Sequence, residues 1–208
     1  MKEKETNSII IRDAEITYAG FIELLANADY TSGKLINCVS NQCLDAAIDF
    51  EIMDCRFDGY QVSPKDLDIP AKQRTEVIIT NSKIHEFKSR EDTIAWVADN
   101  SEFHIAKIHG TITFAAGSRA DGVEVFRTGI AYVRDGVRID TLDVYGTVYL
   151  DNCSIGRCIV YPGGRLIKRS NATIDIMRAS YIQGRNPYTE HHQIRQNKEL
   201  IGEDYICG

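Results

Sequence analysis

Ile79-Thr80-Asn81-Ser82-Lys83-Ile84 is one copy of the short pattern that predicts the fold of this 208-residue chain. In this pattern an apolar residue is followed by any residue, Asn or Asp, a small residue, any residue and a second apolar residue. A looser copy lies at residues 35–39, where Ser40 takes the place of the final apolar residue. The other copies lie at residues 11–16, 52–57, 99–103, 150–155 and 170–174.

The spacing of the copies predicts a solenoid of short strands. The Asn or Asp of each copy stands at position 13, 37, 54, 81, 100, 152 or 171, so successive copies are 24, 17, 27, 19, 52 and 19 residues apart. The gap of 52 residues has room for two further copies. The resulting period of roughly 20 residues falls within the range of solenoid repeats. The flanking residues are β-branched or aromatic and alternate with polar residues, which indicates strands.

The Asn or Asp and the small residue after it predict the corner of each turn. Asn and Asp tolerate the left-handed backbone conformation that a sharp bend between two strands requires, and stacked copies would form a side-chain ladder. The small residue would point inward. We therefore expect an all-β fold, a single-stranded parallel β-helix whose turns stack at about 4.8 Å. The alternative is a β-sandwich with Asn turns, although Asp-Gly pairs occur only at residues 58–59, 121–122 and 135–136.

The chain is predicted to have three parts. Residues 1–8 are polar and are expected to form a flexible tail. Residues 9–182 form the parallel β-helix, and residues 183–208 form an irregular C-terminal cap or oligomerisation tail. Apolar residues at helical spacing in residues 21–27 predict a short helix or turn that caps the N-terminal end. Two prolines and several charges in residues 61–75 predict a loop that leaves the rod.

The Asn-small-x-apolar bends of residues 9–180 resemble those of the right-handed parallel β-helix superfamily, typified by pectate lyases and phage tailspikes. The enzymes of that superfamily act on polysaccharides through carboxylates and basic residues on an outer face. Residues 110–168, where glycines separate short apolar alternations, resemble the repeats of AIDA-type autotransporter passengers, and residues 161–166 are the nearest single unit. The second resemblance implies a surface-displayed adhesive rod, although such passengers tend to avoid cysteine and this chain contains six.

Charge and hydropathy narrow the classes of partner and location. The formal net charge of −6 and the pI near 5.4 disfavour nucleic acid and anionic membranes as partners. No apolar run approaches membrane-spanning length, so no membrane insertion is expected. The charged residues 1–6 contain no apolar signal core. We therefore expect a cytoplasmic or phage-encoded protein, or a cell-surface protein if the sequence lacks its signal peptide.

Three of the cysteines are predicted to be reduced packing residues. Cys38, Cys55 and Cys153 occupy the small inward position of the repeat, where a cysteine behaves as a small buried hydrophobe. The C-x4-C spacing of Cys38 with Cys43, and of Cys153 with Cys158, would suit zinc, but the repeat already accounts for these positions. We expect no metal site and no cofactor.

Alternation along the strands identifies candidate ligand-binding residues. If the apolar residues of 123–150 point inward, their neighbours point outward. The inward set is Val123, Val125, Val137, Ile139, Leu142, Val144, Val148 and Leu150. The outward residues that suit a ligand are Tyr132, Arg134, Arg138, Tyr145 and Tyr149, because aromatic rings stack on sugars and arginines clamp carboxylates. Trp96 is either a further sugar platform or a residue of the core or rim.

Two pairs of acids are the candidates for catalysis. A glycosidase requires two carboxyls about 5–10 Å apart across the scissile bond. Asp140 with Asp143, or Asp99 with Glu102, would supply such a pair. The leading interpretation is nevertheless a non-enzymatic β-helical module that binds a polysaccharide or a protein through its outer face or the loop 61–75. The alternatives are a polysaccharide-degrading enzyme, whether glycosidase or lyase, and a structural rod that assembles into a homo-oligomer.

Overall fold

The computed structural model describes residues 7–26, 30–62, 75–169, 171–180, 191–193 and 204–206, which form two sheets with strands numbered in chain order. Sheet A contains β1 (Ser8–Arg12), β2 (Ser32–Ile36), β4 (Asp49–Met53), β6 (Thr75–Thr80), β8 (Thr93–Ala98), β10 (Thr111–Phe114), β12 (Ile130–Val133), β14 (Thr147–Leu150), β16 (Arg165–Lys168) and β19 (Asp204–Ile206). Sheet B contains β3 (Val39–Asp45), β5 (Arg56–Gln61), β7 (Lys83–Lys88), β9 (Glu102–Ile108), β11 (Arg119–Val125), β13 (Arg138–Val144), β15 (Ser154–Val160), β17 (Thr173–Ser180) and β18 (His191–Gln193).

The chain winds as a parallel β-solenoid. From β2 to β17, strands of sheet A and sheet B alternate along the sequence, and successive strands of each sheet, which are one turn apart, pair in parallel. For example, Thr111 of β10 lies opposite Ile130 of β12, and Arg119 of β11 lies opposite Arg138 of β13. Only β18 and β19 pair antiparallel, against β17 and β16. The predicted parallel β-helix is therefore confirmed, and the alternative of an antiparallel β-sandwich is wrong.

The Asn and Asp residues of the repeat occupy the corners in the expected conformation. Asn37, Asp54 and Asn81 have φ angles of 52°, 54° and 45°, in the left-handed region. The side chains also form the expected ladder, since Asn81 Nδ2 donates to Asp54 Oδ1 at 2.6 Å. Two further left-handed corners, at residues 116–117 and 135–136, fall in the 52-residue gap. The 52-residue gap therefore contains two further corners, as its length predicted.

The small residue after each corner lines the interior. Cys38, Cys55, Ser82 and Ser101 are buried on successive turns. The backbone N–H of Cys55 donates to Ser82 Oγ at 3.0 Å, and that of Ser82 donates to Ser101 Oγ at 3.3 Å. Cys38, Cys55 and Cys153 are free and buried, which confirms that they are reduced packing residues. Polar small residues are tolerated here because each satisfies a buried backbone N–H of the neighbouring turn.

A short helix lies near the N-terminus. Helix α1 (Tyr18–Ala26) begins after Thr17, whose Oγ1 accepts the backbone N–H of Gly20 at 3.2 Å as an N-cap. Phe21 and Leu25 are buried, and the Phe21 ring centroid lies 5.7 Å from that of Phe50 in β4. The helix predicted over residues 21–27 is confirmed, with a start three residues earlier; residue 27 lies outside the described residues. It packs its apolar face on the interior.

The strands of sheet B bend, which gives the rod three faces. In β13 the buried residues are Ile139, Leu142 and Val144, so two consecutive residues, Asp140 and Thr141, turn outward between them. Face A is the outer surface of sheet A. Face B1 is the outer surface of the first half of each sheet B strand, and face B2 that of the second half. All eight residues predicted to point inward between 123 and 150 are buried, so that prediction is confirmed.

Glycines mark the corner where face B2 meets the next strand of sheet A. A Cβ atom on Gly146 would lie 2.2 Å from the carbonyl oxygen of Phe126 and 2.4 Å from that of Gly129. Gly110, Gly129 and Gly164 are equally close to backbone oxygens of the preceding turn. Close backbone approach at this corner therefore explains these four glycines, whereas Gly117, Gly136 and Gly163 have positive φ angles at other corners.

Several predictions on the ends of the chain concern residues outside those described. They are most of the tail at residues 1–8 and most of the internal loop at 61–75. Of residues 183–208 only 191–193 and 204–206 are described. The three-part division of the chain stays a prediction. In the described ranges, no helix is long and apolar enough to cross a membrane.

Candidate functional site

Face A carries a line of exposed apolar and aromatic side chains. Ile78, Trp96, Tyr132 and Tyr149 are 42%, 41%, 39% and 37% exposed. Their register places them on one line along the rod, since Ile78 lies opposite Trp96, and Tyr132 opposite Tyr149. Between Trp96 and Tyr132 the same line passes through Thr113. We call these five residues the aromatic column.

An arginine and several hydroxyls accompany the aromatic column. The Arg134 guanidinium carbon lies 4.9 Å from the centroid of the Trp96 ring, which is a cation–π contact. The rings of Tyr132 and Tyr149 stack at 4.9 Å with an interplanar angle of 9°. Because the rings face one another and Arg134 covers part of Trp96, a ligand on this surface would meet ring edges, tyrosine and threonine hydroxyls and the guanidinium.

The five predicted ligand-binding residues lie on three different surfaces. Tyr132, Arg134 and Tyr149 belong to face A, and Trp96 joins them there. Arg138 lies on face B1, where its Nε is 3.2 Å from Asp140 Oδ1. Tyr145 follows β13, at the corner between face B2 and face A. Alternation identified the outward residues, but it carries no signal for the bends that separate them.

The predicted catalytic acids are dispersed in the same way. Asp99 occupies a left-handed corner. Glu102 Oε2 lies 3.1 Å from Lys83 Nζ and 2.9 Å from Arg119 Nη2. The hydrogen bond from Lys83 and, to a smaller extent, that from Arg119 lower the pKa of Glu102. Asp140 and Asp143 fall on either side of the bend, on faces B1 and B2. The geometry favours neither pair as a glycosidase site.

A second site, a groove at the corner after face B2, was not predicted as a unit. Its volume is about 530 Å³, and it is lined by Glu91, His109, Glu124, Phe126, Arg127, Thr128 and Tyr145. Glu124 of β11 lies directly opposite Asp143 of β13. The sequence signal was present, since Glu124-Val125-Phe126 and Asp143-Val144-Tyr145 are aligned copies one turn apart. We call this groove the corner groove.

The titratable groups beside the corner groove are perturbed by burial. Burial raises the pKa of Asp143, with a smaller opposite effect from Arg157 and a further increase from Glu124. Asp143 Oδ1 is buried and has no hydrogen-bond partner among the described residues. Burial also lowers the pKa of His109, and burial together with the hydrogen bond that Tyr161 donates to Tyr145 raises the pKa of Tyr161. His109 lines the corner groove, whereas Asp143 and Tyr161 are not part of its lining, so His109 is the perturbed group that marks the groove as a candidate site.

Asp143→Asn tests the state of this carboxyl. Because the folded-state pKa is raised, folding favours the neutral acid, and that contribution to stability is lost as the pH rises through the folded-state pKa. Asn imitates the neutral acid at every pH. We expect the variant to melt at a higher temperature than the unmodified protein at pH 7, with a difference that shrinks as the pH falls.

The matched control for this experiment is Asp140→Asn. Asp140 is exposed on face B1 and pairs with Arg138, so its replacement should give no gain that grows with pH. A loss of stability in Asp143→Asn that is constant from acid to neutral pH would show that the carboxyl is ionised in the folded protein.

A third, polar groove of about 340 Å³ lies on face B1. The rings of His85 and His104 stack at 4.5 Å, and His104 Nδ1 lies 2.8 Å from Asp121 Oδ2. Within the described part of the chain, no three His, Cys, Asp or Glu side chains are grouped so that they would hold a metal ion.

Comparisons with known proteins found no relative of this chain. No protein-family model matches it, and neither the curated proteins nor the solved structures contain a significant match. The class of protein is therefore defined by the architecture alone: a parallel β-solenoid. No family match supports the resemblances to pectate lyases, tailspikes or AIDA-type passengers.

Proposed function

We propose that this protein is a non-enzymatic binding module whose aromatic column recognises an extended acidic glycan. The observation that supports this proposal is the exposure of Ile78, Trp96, Tyr132 and Tyr149 on one line of face A, with Thr113 between the two pairs. Large apolar side chains that are exposed singly need no explanation, but a contiguous row of them marks an interaction surface.

The chemistry of face A suits a glycan. The outward positions beside the rings carry hydroxyls, from Thr111, Thr113 and Thr147. A surface that alternates aromatic rings with hydroxyls matches the amphipathic character of a sugar chain, because Tyr presents both an apolar body and a polar tip. Face B1, by contrast, is dominated by ion pairs such as those of Glu102.

Arg134 supplies the preference for acidic sugars. Its guanidinium rests on Trp96, and its Nε lies 3.5 Å from Asp135 Oδ2. These contacts orient the planar fork beside the rings. An arginine fork binds a carboxylate through two parallel hydrogen bonds, which a lysine does not reproduce.

The test is affinity electrophoresis of the full chain through gels cast with a panel of acidic and neutral polysaccharides. We expect retardation in at least one acidic polysaccharide. Trp96→Ala and Tyr132→Ala should abolish it, and Arg134→Lys should reduce it more in acidic than in neutral gels. Ile176→Ala is the matched control, because Ile176 is 41% exposed but lies on sheet B.

Three outcomes would overturn the proposal. Migration that no polysaccharide slows would show that the ligand is not one of these glycans. Retardation that survives all three face A substitutions would move the site elsewhere. A cleared track in the gel would show degradation, and therefore an enzyme rather than a binding module.

A further inference from the structure

Strand β1 (Ser8–Arg12) forms an open edge of sheet A. Within the described ranges it pairs on one side only, in parallel with β2 and over all five of its residues. At the same end of the rod, the first strand of sheet B, β3, is in contact with helix α1. A strand with one unpaired edge presents a row of backbone N–H and C=O groups that another chain can pair with.

The backbone of β1 divides its hydrogen-bonding groups between the two edges of the strand. On the side of β2, the N–H of Asp13, just after β1, donates to the carbonyl oxygen of Ile36 at 3.0 Å. Alternate residues of a parallel ladder direct their backbone groups to opposite sides, so Ser8, Ile10 and Arg12 direct theirs to the open edge. In the part of the chain that the structure describes, these outward backbone groups have no hydrogen-bond partner.

The side chains of the same three residues project from face A. Ser8, Ile10 and Arg12 are exposed, whereas Ile9 is buried and Ile11 is partly buried. Ile10 is 53% exposed, the highest fraction for a large apolar side chain among the described residues. Natural edge strands discourage pairing with proline or inward-pointing charges. β1 contains neither, and its one charged residue stands at its end.

We propose that β1 pairs antiparallel with β1 of a second copy of this chain, which gives a closed dimer with its two-fold axis at Ile10. In this register Ile10 lies opposite the partner's Ile10, and Ser8 lies opposite the partner's Arg12. The residues of each opposed pair exchange both of their backbone hydrogen bonds. A two-fold interface requires a self-complementary surface, and the outward backbone groups of β1 are arranged symmetrically about Ile10.

The charge on β1 does not oppose this pairing. Antiparallel pairing places the two Arg12 side chains at opposite ends of the paired strands. Four residues at about 3.3 Å each separate them by about 13 Å, which exceeds the Debye length of about 8 Å at physiological ionic strength. A parallel arrangement would instead set the two guanidinium groups side by side.

The other end of the described rod favours a dimer over a fibre. Sheets A and B end there on β19 and β18, which contain three residues each and pair antiparallel with β16 and β17. Short edge strands limit pairing with other chains. The longer open edge is therefore at the N-terminal end, and pairing of like ends leaves no further edge of this kind on which copies would add.

The proposed dimer would double the surface that face A presents. Directly opposed residues of antiparallel strands project to the same face, so face A of both copies would lie on one side of a continuous sheet. The two aromatic columns would run in opposite directions along it. Two linked sites hold a polymer more tightly than one site does. The dimer itself does not depend on the glycan proposal.

The experiment is sedimentation velocity of the full chain over a series of concentrations, together with amide hydrogen exchange at the lowest and the highest of them. We expect a single monomer–dimer equilibrium that levels off at twice the 23.4 kDa of one chain. Exchange of the Ser8, Ile10 and Arg12 amides should slow as the dimer forms. The amides of Ile9 and Ile11, which face β2, should exchange slowly at both concentrations.

Substitutions in β1 test the edge and the register. Ile10→Pro removes an N–H that faces the open edge, where proline is tolerated, and should weaken dimerisation at least about fivefold because each dimer loses two hydrogen bonds. Ser8→Glu, opposite the partner's Arg12, should strengthen it at least about twofold, and Ser8→Arg should weaken it by a similar factor. Val39→Ala is the matched control, because Val39 is 50% exposed but lies in sheet B.

A chain that stays monomeric at every concentration would overturn the proposal, and so would particles that keep growing beyond the dimer. A dimer that is equally stable in Ile10→Pro and in both Ser8 variants, each shown by circular dichroism to be folded, would place the interface elsewhere. Trp96→Ala separates this proposal from the proposed function, since it should lose retardation in polysaccharide gels and keep the dimer.

Discussion

Gly146→Ala is expected to lower the free energy of unfolding by about 3 kcal/mol, the upper part of the usual range for forcing extra volume into a packed site. The added methyl would meet the carbonyl oxygens of Phe126 at 2.2 Å and Gly129 at 2.4 Å. Both are backbone atoms of the preceding turn, so neither can rotate away as a side chain would. Relief requires the two turns to separate, which weakens the hydrogen bonds between them. Urea denaturation followed by circular dichroism measures the change.

The matched control is Gly136→Asn, at a glycine of the opposite kind. Gly136 has a φ of +83°, and nothing lies within 4 Å of an added Cβ. Another turn places Asn at the second of two consecutive left-handed residues, as Asn100 follows Asp99, so Gly136→Asn should change the stability by less than about 1 kcal/mol. Equal losses in the two variants would show that contact between turns does not explain the glycine at position 146.

Phe87→Ala is expected to reduce the stability by about 3–5 kcal/mol, the usual cost of deleting a buried aromatic ring. Phe87 lies in the middle of a chain of interior rings. It stacks on Tyr60 at 6.5 Å and meets Phe103 edge-on at 5.8 Å, and all three are buried. The solenoid cannot close around the resulting cavity, because the turns on either side fix the position of both neighbours. The midpoint and slope of urea denaturation give the measurement.

Two variants bracket this result. Tyr149→Ala removes a ring of similar size from face A, where it is exposed, and should reduce the stability by less than about 1 kcal/mol. Tyr60→Phe keeps the interior ring but removes a buried hydroxyl that has no hydrogen-bond partner in the described ranges, and should be neutral or stabilising. A loss in Phe87→Ala no larger than that in Tyr149→Ala would contradict a close-packed interior.

The corners of the fold were predictable because they depend on local chemistry. Asn81 is read as a corner since few residue types accept its left-handed φ, and Ser82 is read as inward since the corner has no room for bulk. Alternation likewise assigned Leu142 and Val144 to the interior. The bend of sheet B was not predictable in this way. In β13 the bend falls at Asp140 and Thr141, which are neither glycine, proline nor left-handed, and only some turns have a glycine there, as at Gly122 opposite Thr141.

The candidate sites were predictable only in part, because they depend on the register between turns. Turn lengths vary along this chain, so Trp96 and Arg134 have no fixed separation in sequence that would place one over the other. Glu124 and Asp143 were within reach of prediction, since they occupy equal positions in neighbouring copies. Pairing acids that are close in sequence, such as Asp140 with Asp143, instead joined residues that a bend holds on separate faces.

The stacking of turns also sets a scale of length along the rod. Trp96 and Tyr149 are separated by three steps of register through Thr113 and Tyr132, which is about 14 Å at a strand spacing of about 4.8 Å. Side chains at equivalent positions on face A are therefore separated by multiples of one strand spacing. A polymer whose own repeat is commensurate with that interval can place one equivalent group against each turn, whereas a polymer with a different repeat loses this alignment within a few units. Gain or loss of a whole turn would lengthen or shorten face A without changing the spacing between its side chains.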